Sequence, residues 1–141
     1  MILSPDRRRV LLCKRKGEAD YDGTYTFIGG KLEKGDETLI AGIAREKTEE
    51  IGADARVKVV QNYPVSLLFT KKDGSQMVIP HHYAEFVGGE IILNDDEYSD
   101  YRWVEIEKLS GFEPKVPNIP VMVEMLTRLK PVLEEQDFIL I

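Results

Sequence analysis

Apolar and polar positions alternate in short stretches over most of the chain and switch to a helical period in two places. Val10-Leu11-Leu12-Cys13 is an apolar run between Arg9 and Lys14, the pattern of a buried strand with charged ends. Tyr25 to Ile28 predicts a second short strand, stopped by Gly29-Gly30 and followed by a polar loop to Asp36. From Thr38 to Ile51 the period turns helical, with Leu39, Ile40, Ile43, Ala44 and Ile51 on one stripe. Thr38 or Asp36 can cap its start, and Gly52 suits its end. Strand-like runs follow over 55–60, 65–69, 78–87, 90–93 and 102–106. Lys72-Asp73-Gly74-Ser75 predicts a hairpin turn, and Val87-Gly88-Gly89-Glu90 a second one. Val121, Met122, Met125, Leu126 and Leu129 form a second amphipathic helix that Pro131 ends or kinks. The chain starts only a few residues before its first clear strand, so the first sheet element is expected to be short. Five or six strands with one early and one late helix predict an α/β (α+β) fold, a mixed sheet packed between helices.

Length and charge narrow the function. A chain of 141 residues makes one domain, 1–141, with no linker, repeat or low-complexity tract. Its net charge of −6 argues against nucleic-acid polymers and anionic membranes as partners, because both need a basic face. A small phosphorylated ligand needs only a local basic pocket or a metal. The single cysteine, Cys13, excludes an internal disulfide and a cysteine zinc cage. No apolar run reaches the roughly 20 residues of a membrane span, and no secretory signal is visible. The expectation is a cytoplasmic protein, monomeric or homodimeric.

The chemistry concentrates between Gly29 and Gly52. On a helix, Glu46, Glu49 and Glu50 stand at i, i+3 and i+4 and project from one face. Like charges at that spacing destabilise a helix by a few tenths of a kcal/mol per pair, and a divalent cation reverses the sign. Arg45 can orient a carboxylate through its planar fork, and Gly29-Gly30 lets backbone approach a metal or a phosphate. A solvated acidic helix face is the plain alternative, but it leaves the two glycines, Arg45, Glu37 and Gly52 unexplained.

This segment resembles the Nudix hydrolases, whose motif runs Gly, five residues, Glu, seven residues, Arg-Glu, an aliphatic, any residue, Glu-Glu, any residue, Gly, an aliphatic. Glu37, Arg45, Glu46, Glu49, Glu50 and Gly52 match it with the expected spacing to one another. Six residues separate Gly30 from Glu37, so the loop carries one extra residue. Asp36 is the competing choice for the loop acid, at a longer spacing to Arg45; Glu37 is preferred. Lys47 stands at the aliphatic position after Arg-Glu, where its stem can snorkel, and Ile28 stands where many members have proline.

The resemblance implies a Nudix-type mixed sheet between helices and a Mg²⁺- or Mn²⁺-dependent hydrolysis of a nucleoside diphosphate linked to another group. It assigns Gly29, Glu37, Glu46, Glu49, Glu50 and Glu97 to the metal. Glu46, oriented by Arg45, is a ligand or the general base, with Glu49 and Glu97 as further catalytic candidates. Arg15 would reach the substrate phosphates, and Asn118, in Asn118-Ile119-Pro120, would read the edge of a purine as in the MutT-like branch. A strand-end surface charge, a turn acid and a helix cap are the respective alternatives for Arg15, Glu97 and Asn118. Phe27 is a candidate to stack a base, as are Tyr25 and Tyr83, although aromatics of this kind are usually core. His81 and His82 point to opposite faces of a strand and cannot form one metal site. The expected reaction converts a nucleoside triphosphate, plain or oxidised, into a monophosphate and pyrophosphate. ADP-ribose, nucleotide sugars and dinucleoside polyphosphates are the alternative substrates, and a non-catalytic nucleotide sensor is the alternative function.

Overall fold

Successive side chains of the Arg9–Arg15 strand enter two different cores, and the architecture follows from that alternation. The computed structural model describes residues 1–141. Its strands are β1 (Ile2–Leu3), β2 (Arg9–Arg15), β3 (Tyr25–Thr26), β4 (Arg56–Val60), β5 (Val65–Thr70), β6 (Gln76–His81), β7 (Ala84–Gly88), β8 (Tyr98–Glu105) and β9 (Phe138–Leu140). Its helices are α1 (Leu39–Ile51) and α2 (Ile119–Thr127). Seven strands form a mixed sheet in the order β3-β2-β1-β7-β4-β9, with β8 on the free side of β2. The β1–β7 pair is parallel and the other pairs are antiparallel.

On β2, Val10 and Leu12 join the core under α2, whereas Leu11 and Cys13 join the core under α1. The same alternation separates Leu3 from Ile2 and Tyr83 from Ala84. Period-two sorting of apolar side chains is what lets one sheet carry a helix on each face. The expected sandwich is therefore the observed one.

Thr38 caps α1, its Oγ accepting the Ala41 N–H at 3.1 Å, and Gly52 ends the helix at φ +91°. Several expectations change. The 78–87 run is two strands, because the chain leaves the separate β5–β6 hairpin and crosses into the main sheet at buried His82 and Tyr83. The 90–93 run is not a strand, and no hairpin forms at Gly88-Gly89. Instead the Ile92 N–H donates to Ile51 O and the Asn94 N–H to Glu50 O, satisfying carbonyls that the last turn of α1 leaves without partners. Strand β3 is shorter than the 25–28 run, and β1 and β9 were not evident from pattern alone. Helix α2 stops at Thr127, before Pro131, which lies in the 3₁₀ turn Lys130–Val132. No helix is long and apolar enough to cross a membrane.

Candidate active site

Helix α1 lies across one face of the sheet and turns its last two turns toward the end of β2 and the start of β8. Glu50 is fully buried there. Its carboxylate accepts the Tyr98 hydroxyl at 2.6 Å and the Gly29 N–H at 2.7 Å. Burial pushes its carboxyl up to about 7 against those two hydrogen bonds, and nearby Glu46 and Glu97 push the same way. Glu97 is also raised, first by burial and then by Glu46, Glu18 and Glu49. Glu46, from the helix, and Glu97, from the loop before β8, thus both act on the buried Glu50. No three of these side chains surround one point as a finished cation cage.

Arg45 organises the outer part of the site. Its Nη1 pairs with Glu46 and Glu49, each at 2.9 Å. Its Nη2 donates to Lys31 O at 2.9 Å and to Asp36 Oδ2 at 3.0 Å, and its Nε to Asp36 Oδ1 at 3.2 Å. This fork holds the Asp36 carboxyl below the usual carboxylate range. Asp36 also accepts the Glu33 N–H at 2.8 Å, so the loop is tied to the helix at its own turn.

The preference for Glu37 as the loop acid is corrected here. Glu37 is exposed and is not among the partners of Arg45, whereas the Asp36 side chain is only 6% exposed. The extra loop residue moves the carboxylate one position toward the glycines, and the loop packs against Gly42, where a Cβ would collide with Leu32. Gly30 works by close approach as well, since a Cβ there would occupy the space of the Glu46 carboxylate. Gly29, at φ +139°, meets the cluster through its N–H on Glu50. Lys47 is buried, and its ammonium donates to Ala55 O at 2.9 Å instead of snorkelling to water.

Arg15 stands beside the cluster at the end of β2. Arg15 follows Leu11 and Cys13 onto the α1 face, and the β2–β8 register slips opposite it, skipping Ser99 and pairing Arg15 with Tyr98. Its Nη2 meets Glu18 at 3.0 Å, and its buried Nε has no hydrogen-bond partner. Glu97 accepts the Asn94 side-chain amide at 3.1 Å.

Asn118 sits apart from this cluster. It occupies the N-cap of α2 but makes no capping hydrogen bond, so its amide stays available. It lines a cleft of about 240 Å³ with Tyr21, Leu68, Phe69, Thr70, Val116 and Pro117, and the Tyr21 and Phe69 rings lie 5.9 Å apart. Phe27 does not line this cleft. It is 9% exposed in the α2-side core, edge-on to His81 at 5.8 Å, so its assignment to substrate binding is corrected to packing. Tyr25 and Tyr83 are likewise core, and His82 Nδ1 bonds Val60 O at 2.8 Å. Sequence reasoning passed over Tyr98, Glu18, Tyr21 and Phe69. Only Tyr98 left a sequence signal, its place next to Glu97.

The comparisons with known proteins agree with this geometry. The family model of the NUDIX domain matches residues 1–126. The NAD-capped RNA hydrolase NudC of Stutzerimonas stutzeri (strain A1501) is 29% identical over 119 residues, which are 79% of this chain and 40% of that protein. The chain thus spans well under half the length of that relative. Among solved structures, the MutT protein of Methanosarcina mazei Go1 is similar at TM-score 0.65 and 25% identity, over 92% of this chain and 90% of that one. A C. elegans Ap4A hydrolase shares the fold at TM-score 0.69 and 16% identity, over 94% of this chain and 96% of that one. With the motif glutamates gathered on α1 and the domain matched almost end to end, this chain belongs to the Nudix family.

Proposed function

We propose that the chain is a metal-dependent pyrophosphohydrolase that splits a nucleoside triphosphate into a monophosphate and pyrophosphate. The observation that carries this reading is the gathering of Glu46 and Glu97 around buried Glu50, which the Gly29 N–H and the Tyr98 hydroxyl hold in place, beside Arg15 with its unpartnered Nε. Those donors are hard carboxylate oxygens with an excess of negative charge, the chemistry that suits Mg²⁺ or Mn²⁺. Glu46, Glu49, Glu50 and Glu97, with the Gly29 backbone, would hold the metal. When bound, it neutralises charge on the phosphate oxygens and makes a bound water more acidic.

The side chains divide the remaining work. Water attacks one phosphorus of the anhydride, the bridging P–O bond breaks, and its electron pair leaves on pyrophosphate. Glu46 takes the proton of that water, and Arg45 fixes the direction of its carboxylate. Arg15 binds a phosphate oxygen through its fork. The Asn118 amide offers donor and acceptor together to the base edge, beside the Tyr21 and Phe69 rings. The likeness to NudC supports a second reading, hydrolysis of the pyrophosphate in NAD or an NAD-capped RNA end.

A panel of nucleoside triphosphates, ADP-ribose, dinucleoside polyphosphates, NAD and NAD-capped RNA with Mg²⁺ or Mn²⁺ separates these readings. Release of pyrophosphate and phosphate is followed, with Glu49→Gln and Glu50→Gln as controls. Failure to turn over any pyrophosphate compound overturns the enzyme reading. Asn118→Ala is expected to weaken purine substrates more than pyrimidine ones, and equal losses would remove its base-reading role.

A further inference from the structure

We infer that Glu18 is a displaceable stand-in for a substrate phosphate on Arg15, and so sets how tightly this enzyme holds its phosphate chain. The inference rests on the assignment of Arg15 to the substrate phosphates.

The guanidinium of Arg15 is poorly satisfied for its surroundings. It has five N–H donors, yet its ion pair is a single contact from Nη2 to Glu18 Oε2 at 3.0 Å. Its Nε is buried and has no partner at all. A buried donor without an acceptor is destabilising, so the arrangement is incomplete. Nε and Nη2 form one edge of the fork, the edge on which a phosphate or carboxylate is held by two parallel bonds. Glu18 takes one end of that edge and leaves the other open. Two oxygens of one phosphate would fill both.

The backbone around Glu18 is anchored while its side chain is not. Asp22 Oδ1 accepts the Gly17 N–H at 2.8 Å and the Glu18 N–H at 3.4 Å. The Lys16 N–H donates to Glu97 O at 2.8 Å and its ammonium to Asp95 O. The loop therefore holds Glu18 beside Arg15 and Glu97, while the Glu18 side chain stays 45% exposed and free to swing into solvent. A second acid placed here opposes an incoming anion twice, by occupying Arg15 and by like charge.

The test compares wild type, Glu18→Gln, Arg15→Ala and the double variant. Nucleotide hydrolysis is measured with Mg²⁺, and binding of inorganic pyrophosphate is measured by calorimetry with and without Mg²⁺. Partly exposed ion pairs are worth about 0.2–1 kcal/mol, so Glu18→Gln is expected to lower KM and the pyrophosphate Kd by about 1.4- to fivefold. The change should sit in KM and not in kcat. Arg15→Ala is expected to raise both constants, and in that background Glu18→Gln should no longer tighten binding. The proposal is overturned if Glu18→Gln binds no tighter than wild type in either assay, or tightens binding equally when Arg15 is absent. Pyrophosphate binding reads the Arg15–Glu18 competition without turnover, so failure of the hydrolase reading is distinguishable from failure of this one.

Discussion

The two helices bury different things on opposite faces of one sheet. Helix α2 buries Ile119, Met122, Val123 and Leu126, all apolar. Helix α1 buries Gly42, Lys47, Glu50 and Ile51, two of them ionisable. Burying a charge is costly unless it is paired and hydrogen-bonded. On α1 those bonds come from outside the helix, from Tyr98 and Gly29 to Glu50 and from Ala55 O to Lys47. The buried side chains of α2 thus contribute through apolar area, and those of α1 hold a chemical arrangement that a purely apolar packing would exclude.

That division can be broken from either side. Leu126→Ala removes a fully buried side chain from the α2 face and should cost about 2–5 kcal/mol in denaturant unfolding. The remaining folded enzyme should keep its kcat; a kcat that falls in step with stability would mean that the two faces are not separable. Gly30→Ala probes the other face. Its methyl group would displace the Glu46 carboxylate, and a displacement of that order can cost a reaction roughly a hundredfold. Melting temperature should hardly move, because the displaced atoms are the far end of a flexible side chain. An active Gly30→Ala enzyme would argue that Glu46 is not the base.

Smaller effects sharpen the picture within the α1 face. Asp36→Asn weakens the grip on Arg45, and supporting residues of this kind typically contribute 10- to 100-fold to activity or metal affinity. Glu37→Gln should leave activity within about twofold, as expected for an exposed surface group. The reverse ranking would restore Glu37 as the loop acid. The smallest expected effect concerns pH. Burial lowers the His82 pKa below its ordinary 6.5, so the folded state binds fewer protons than the unfolded one in that range. Its contribution to stability is full above about pH 6.5 and declines as pH falls below it. His82→Gln should therefore flatten the loss of melting temperature between pH 7 and 5; an unchanged slope would place that sensitivity elsewhere.

Much of the site was readable because it is local. The spacing of Glu46, Glu49 and Glu50, the stop at Gly52 and the stripe of Ile40, Ile43 and Ile51 all depend on the helical period. The choice between Asp36 and Glu37 was not readable, because spacing counts residues along the chain, while Arg45 selects among carboxylates in space. Arg15 illustrates the same limit. Its place at the end of β2 could be read, but the bulge at Ser99 that brings Tyr98 opposite it depends on how β8 pairs.

By itself the sequence determined a two-layered apolar pattern, one acidic helix face and the family to which both belong. These follow from periodicity and from residue types at fixed offsets, which no distant contact has to supply. Only the tertiary structure decided which face of the sheet each apolar residue enters, which acid Arg45 holds, that Tyr98 supports Glu50, and that Phe27 is core while Asn118 lines a cleft. Each of those is a contact beyond the reach of local periodicity, settled by packing across the sheet or by where burial leaves a polar group in need of a partner.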